Sequence, residues 1–220
     1  MSLFGIRKKR LINAATVDLR NYSPEALNNL GVINAALVLL PENPTNEFME
    51  AYSNIGVKNI AAEISVDSNK KIYNISGMTE LNENNIDYDA IYTVSGVSLI
   101  KNLNNDRPVN VMASGILVYD KFTNINFINK SGISVELDFE YTKSKNFQKD
   151  AYLDKHFIEL IDDTVIVGGK DIYFDNDITE EVLFSKNIYF VAGKNIICNK
   201  QIKSAVQIKS TVGSKYVFNE

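Results

Sequence analysis

Hydrophobic residues in this chain fall in short runs rich in β-branched and aromatic side chains, and run after run is interrupted at a small residue. Runs of that length, bounded by turn signals, predict strands rather than long helices. A self-match near the C-terminus gives the pattern its clearest form. Val167-Gly-Gly-Lys-Asp-Ile-Tyr-Phe-Asp-Asn-Asp-Ile178 aligns without gaps on Val191-Ala-Gly-Lys-Asn-Ile-Ile-Cys-Asn-Lys-Gln-Ile202, at an offset of 24 residues. An apolar residue, a small residue, Gly or Ala, two free positions and another apolar residue recur at Ile12–Val17, Ile33–Val38, Val94–Leu99 and Ala113–Val118. Looser copies begin at Ile75 and Lys130, and a register-shifted one spans Ile60–Ile64.

The Gly or Ala falls at Ala14, Ala35, Ala61 or Ala62, Gly77, Gly96, Gly115, Gly132, Gly169 and Gly193, with gaps of 21, about 26, about 16, 19, 19, 17, 37 and 24. The gap of 37 is close to two repeats with one degenerate copy. A spacing of about 20 residues is one turn of a solenoid, in which each repeat supplies a strand that pairs with its neighbours and the remainder returns around the coil. A small residue at one point of every turn lets the backbone bend or lets stacked turns approach closely. The competing reading is a series of hairpins whose turns contain Ser-Gly. On the solenoid reading, the length of 220 becomes some ten or eleven turns in a row.

Three returns read as helices. Ser23 is a natural N-cap with Pro24 in the first helical position and Gly31 as stop, and Thr45 with Gly56 repeats that logic. The third candidate runs over 177–186, with Asp177 as its cap. Between about Ile72 and Tyr141 the repeats are shorter and the returns read as extended. The expected organisation is a tail over 1–10, repeats over 11–140, an irregular or partly helical insertion over 141–160, and repeats with a C-terminal strand over 161–220. The fold class is α+β: a strand-rich parallel β-solenoid with short helical returns.

The Ile-Asn-Ala-Ala strands, the Ser-Pro-Glu-capped helix and the Gly-Lys-Asn-Ile-Ile copies resemble leucine-rich-repeat-like solenoids of bacterial proteins with unassigned function. The Leu-x-x-Leu-x-Leu-x-x-Asn consensus is not matched, so a β-helix with occasional helical turns stands beside the leucine-rich-repeat form. Met1-Ser-Leu-Phe-Gly-Ile6 followed by Arg7-Lys-Lys-Arg10 is similar to the short tails that precede bactofilin-type β-helical scaffolds. That resemblance implies a weak peripheral contact with the inner membrane, Leu3, Phe4 and Ile6 entering the headgroup region while Arg7, Lys8, Lys9 and Arg10 meet anionic lipid at about 1 kcal/mol each. A frayed basic tail is the plainer reading of the same residues.

Composition narrows the chemistry. Net charge is −4 with a pI near 5.2, which speaks against a nucleic-acid partner. One Cys excludes an internal disulfide and a multi-Cys metal site, and one His excludes a His pair. No apolar run approaches the roughly 18 residues of a membrane span, and the N-terminus has its charges after its apolar residues, the reverse of a secretory signal. The expected location is cytoplasmic, with the tail placing it at the inner membrane surface in the scaffold reading.

Single candidates reduce to structural tasks. His156 lies in one amphipathic turn, Leu153-Asp-Lys-His-Phe-Ile-Glu159. Cys198 aligns with Phe174 of the companion repeat and reads as packing. Asp175-Asn-Asp177 does not fit the Ca²⁺ loop pattern. Gly169-Lys170 and Gly193-Lys194 lack the rest of a phosphate loop and read as steps of a surface ladder. No catalytic residue, metal ligand or cofactor site is assigned. The leading expectation is a non-enzymatic solenoid whose repeat surface serves protein–protein binding or scaffolding. The alternatives are a self-assembling scaffold at the inner membrane surface and a carbohydrate-active β-helix enzyme.

Overall fold

The computed structural model describes residues 9–101, 103 and 106–219. They divide into two compact units, one made of the chain up to Tyr119 with Thr123–Glu136, the other of Asp120–Phe122 with the chain from Leu137 onward.

In the first unit, β1 (Arg10–Asp18), β2 (Leu30–Pro41) and β3 (Val57–Val66) form one parallel sheet in that order. The helices α1 (Pro24–Asn28) and α2 (Asn46–Ser53) fill the returns. Both start as the sequence predicts: the Ser23 hydroxyl accepts the Ala26 N–H at 3.2 Å and the Thr45 hydroxyl accepts the Phe48 N–H at 3.2 Å. Both stop earlier than predicted, at Asn29 and Asn54, whose N–H groups bond back into the last turn. Gly31 and Gly56 have a different task. A Cβ on Gly56 would lie 3.2 Å from the Gly31 carbonyl oxygen, so the pair marks a close approach of adjacent repeats.

The Ala-Ala pairs are bends. Pairing lapses at Ala15, Ala36 and Ala61 and resumes in the same register on either side. Beyond the bend the buried parity of β2 changes: Ile33, Ala35, Val38 and Leu40 all face the layer of Leu27, Phe48 and Ala51. Leu37 and Leu39 face the other way, with Ala62 and Ile64, and pack on Ile72, Ile91 and Met112.

Those last residues belong to a second part of the first unit, built from strand–corner–strand tiers. The tiers are β4 (Ile72–Ile75) with β5 (Met78–Leu81), β6 (Ile91–Val94) with β7 (Val97–Ile100), β8 (Val109–Ala113) with β9 (Ile116–Asp120), and β10 (Ile125–Lys130) with β11 (Ile133–Leu137). The first strands of the tiers form one parallel sheet, β10-β8-β6-β4, and the second strands another, β11-β9-β7-β5. Ser-Gly joins the two strands of every tier, and hydrogen bonds continue through the corner: Ser95 N–H to Ile75 O at 2.8 Å and Val97 N–H to Gly77 O at 2.9 Å. Of the two tasks open to the small residue, close approach is the one used. No described glycine has positive φ, whereas a Cβ on Gly96, Gly115 or Gly132 would lie 2.0, 2.1 or 2.2 Å from the carbonyl oxygen of the preceding glycine. Tyr92, Val94, Ile100, Val111, Ala113 and Leu117 fill the space between the two sheets.

The second unit repeats strand, corner, strand and helix. Its elements are β12 (Lys143–Phe147), β13 (Ala151–Leu153), α3 (Lys155–Glu159), β14 (Thr164–Gly168), β15 (Ile172–Phe174), α4 (Glu180–Phe184), β16 (Ile188–Ala192), β17 (Asn195–Asn199), α5 (Lys203–Ile208), β18 (Ser210–Val212) and β19 (Lys215–Asn219). Its parallel sheets run β12-β14-β16-β18 and β13-β15-β17-β19. Residues 141–160, expected as an irregular or partly helical insertion, build β12, β13 and the short helix α3, which together form a regular tier. Here the corner is Gln148, whose carbonyl oxygen lies 2.4 Å from where a Cβ on Gly169 would be. Asp177 does not cap α4; Thr179 does, its hydroxyl accepting the Val182 N–H at 3.3 Å. The core holds Leu153, Ile158, Phe174, Leu183, Phe190 and Cys198.

The alanine-cornered strands, the Ser-Gly tiers and the tiers of the second unit lie in separate sheets.

Candidate functional site

The face that combines exposed aromatic area with ordered charge is the outer side of the β13-β15-β17-β19 sheet. Strand alternation turns Ala151 and Leu153 into the core and Asp150, Tyr152 and Asp154 outward. One tier on, Ile172 and Phe174 are buried and Asp171, Tyr173 and Asp175 point outward. The register Ala151↔Ile172, Tyr152↔Tyr173 and Leu153↔Phe174 superposes the two Asp-x-Tyr-x-Asp rows. In the following tiers the same positions are Asn195, Ile197 and Asn199, then Lys215, Val217 and Asn219. The acidic and aromatic character is therefore confined to the first two rows.

The tyrosine rings lie 4.7 Å apart at 9°, and Tyr152 is 72% exposed. They line a cleft of about 380 Å³ together with Asp154 and Asp175. Several carboxylates are engaged locally: Asp154 Oδ1 accepts the Phe157 N–H at 2.7 Å as N-cap of α3, and Asp175 Oδ1 accepts the Asn176 N–H at 2.7 Å. Asp171 Oδ1 accepts from Asn195 Nδ2 at 2.9 Å and from the Asn195 N–H at 3.1 Å, while Asp150 Oδ1 accepts the Asp171 N–H at 3.3 Å. Desolvation, then the charge of Asp171, push the Tyr173 phenol above its ordinary pKa. Beside this face runs the expected lysine ladder, one member longer than the sequence indicated. The Lys170 N–H donates to Lys149 O at 3.1 Å and the Lys194 N–H to Lys170 O at 2.9 Å, with all three side chains exposed.

A second tyrosine pair, Tyr73 on Tyr92 at 5.4 Å and 23°, lines a groove of about 370 Å³ with Ile75, Thr79, Leu81 and Asn85 in the first unit. There Tyr92 belongs to the core side, buried with its hydroxyl accepting the Asp87 N–H at 2.7 Å, while Tyr73 is 44% exposed.

The residues singled out from sequence are scattered. His156 is exposed on α3. Cys198 is buried opposite Phe218, and burial pushes its thiol up to about 11, which makes it a packing residue. Asp177 Oδ1 accepts the Lys155 N–H at 3.3 Å, and among the described residues no group of three His, Cys, Asp or Glu is arranged to hold a metal. Of the suggested membrane contacts, Leu3, Phe4, Ile6, Arg7 and Lys8 lie outside the described residues. Lys9 and Arg10 are exposed, and the Arg10 N–H donates to Asn29 O at 2.8 Å at the start of β1. Among the described residues no helix is long and apolar enough to cross a membrane. The Asp-x-Tyr-x-Asp rows were readable at 150–154 and 171–175, but a search keyed on a small corner residue passes over the first of them, whose corner is Gln148.

Comparison of the chain with protein-family models, with curated proteins and with solved structures gives no match.

Proposed function

We propose that the chain is a non-enzymatic β-solenoid whose outer sheet faces serve protein–protein binding or scaffolding. The hydrogen bonding that runs through the Ser-Gly corners supports the solenoid reading, since successive turns of one coil would bond in that way. The binding reading is carried by one observation, the stacking of Tyr152 on Tyr173 on a solvent-facing surface with 72% of Tyr152 exposed. Core packing does not require aromatic rings at those outward positions, as Ile197 and Val217 show by filling them in the next tiers. Exposed tyrosines of this kind are typical of the centres of protein interfaces.

Two experiments test the two halves. Turns that depend only on their neighbours tolerate removal of one whole turn, so deleting residues 96–114, which joins Ser95 to Gly115, is expected to leave a cooperatively folding protein of lower stability. Loss of the cooperative urea transition in that variant speaks against the solenoid. For the binding half, a photo-crosslinking amino acid at position 152 of the full chain, expressed in its source cells, is expected to give a discrete protein adduct that the same group at Glu181 does not give. Equal adducts at both positions, or none at 152, would count against binding at this face.

A further inference from the structure

The strand β13 is the edge of its sheet. One face of Tyr152 covers Tyr173 and the other is turned to the open side of that edge. In a parallel pair, alternate residues bond to opposite neighbours. The Ala151 N–H donates to Asp171 O at 2.9 Å and Leu153 O accepts the Asp175 N–H at 2.9 Å, which leaves the N–H and C=O of Tyr152 directed to the open side.

The charges have the same asymmetry. Stacking Asp150 over Asp171 and Asp154 over Asp175 places like charges at the strand spacing of roughly 4.8 Å, which is unfavourable. On the inner side the third row relieves it, because Asn195 donates its amide to Asp171. Among the described residues, no salt bridge to Lys or Arg is made by any of the four carboxylates. An added strand with cations at alternate positions would sit as the next row, supplying positive charge over Asp150 and Asp154 and a flat cation over the free face of Tyr152.

We infer that the open edge of β13, with Tyr152 between Asp150 and Asp154, binds an extended basic segment of a partner protein that carries Arg or Lys at every second position. The inference rests on the proposed role of this sheet face in protein binding and names the chemistry of the partner. Backbone pairing at Tyr152 supplies the anchor, and the alternate side chains supply selectivity. Guanidinium stacked on an exposed ring and flanked by carboxylates combines cation–π attraction with ion pairing. The about 6.6 Å between alternate residues on a strand matches the Asp-Tyr-Asp spacing to the same spacing in the ligand.

The experiment is fluorescence anisotropy on the full chain with two labelled peptides of identical composition, Arg-Ala-Arg-Ala-Arg and Arg-Arg-Arg-Ala-Ala, each flanked by Gly. The alternating peptide is expected to bind at least about fivefold more tightly than the block peptide at physiological salt. Tyr152→Ala, and separately the double change Asp150→Asn with Asp154→Asn, are expected to weaken it about tenfold or more. Asparagine keeps the capping ability needed at position 154, and circular dichroism checks that each variant is folded. Tyr152→Phe is expected to retain binding. Equal binding of the two peptides, no binding of either, or unchanged binding by the folded Tyr152→Ala protein overturns the inference. Any of those results together with a discrete crosslink at position 152 leaves the broader binding reading intact and rejects only the basic strand.

Discussion

Alanine in place of Gly115 is expected to lower the unfolding free energy of the first unit by more than about 4 kcal/mol, a loss beyond that of most single substitutions. The added Cβ would lie 2.1 Å from the Gly96 carbonyl oxygen and 2.7 Å from the Ser95 carbonyl carbon. Neither is the end of a flexible side chain. Gly96 O already accepts the Ile116 N–H at 2.8 Å, and the Gly115 N–H donates to Val94 O at 2.8 Å, so moving either strand aside breaks the ladder that holds the tier. The matching control is Gly77→Ala. Nothing lies within 4 Å of a Cβ there, and φ is not in the left-handed region. That change is expected to be neutral or stabilising by about 0.4–1 kcal/mol through the unfolded chain. Urea midpoints of the two variants measure the contrast, and similar losses at both positions would show that the corner glycines are not there for close approach.

The second large effect is expected at Arg20, which is only 8% exposed. Its Nε and Nη2 donate to Asp18 at 2.9 and 2.8 Å, and Nη1 donates to Asp67 O at 2.7 Å and Lys70 O at 2.9 Å. One guanidinium thus ties the end of β1 to the loop that leads from β3 into the first Ser-Gly tier. Arg20→Met removes the charge while keeping much of the side-chain volume; it leaves the Asp18 carboxylate with only the backbone N–H of residue 20, takes one of two donors from Asp67 O, and removes the guanidinium donor from Lys70 O. The expected cost is about 3–5 kcal/mol at pH 7. Burial by itself raises the Asp18 carboxyl, but the hydrogen bonds and charge of Arg20 prevail and hold it below its ordinary 3.8. The pair's contribution is therefore complete above about pH 4 and fades as acid protonates the folded carboxylate. The difference between native and variant proteins should accordingly be constant from pH 7 to pH 5 and shrink towards pH 3. A pH-independent difference would place the effect in lost packing rather than in the ion pair.

How far the sequence reveals this molecule depends on which residues had no choice. Gly96, Gly115, Gly132, Gly169 and Gly193 face a backbone oxygen, so their identity was forced and the repeat could be read. Gln148 stands at the corner of the first tier of its sheets, ahead of any paired tier, and a larger residue is admitted there. Residues 141–160 therefore lack the small-residue mark that the later tiers of those sheets carry. The helix starts at Ser23 and Thr45 were legible because a capping oxygen has few substitutes. Their ends were not, since Asn29 and Asn54 close the last turn without glycine. The Asp-x-Tyr-x-Asp face was written plainly at 150–154 and 171–175, yet alternation alone does not tell an outward tyrosine from one that fills a core. Only the register Tyr152↔Tyr173 stacks the rings.

The corner glycines also have a direction. From Gly96 onward each clears space for the carbonyl oxygen of the corner before it, and its own carbonyl oxygen meets the same clearance in the corner that follows. A stretch of chain running from one Ser-Gly to the next therefore carries with it the residue that admits it to the stack. Tandem duplication of such a stretch would deliver a unit already fitted to its neighbour, with no compensating change required elsewhere. The unequal lengths between corners lie in the returns, where the stack does not constrain them.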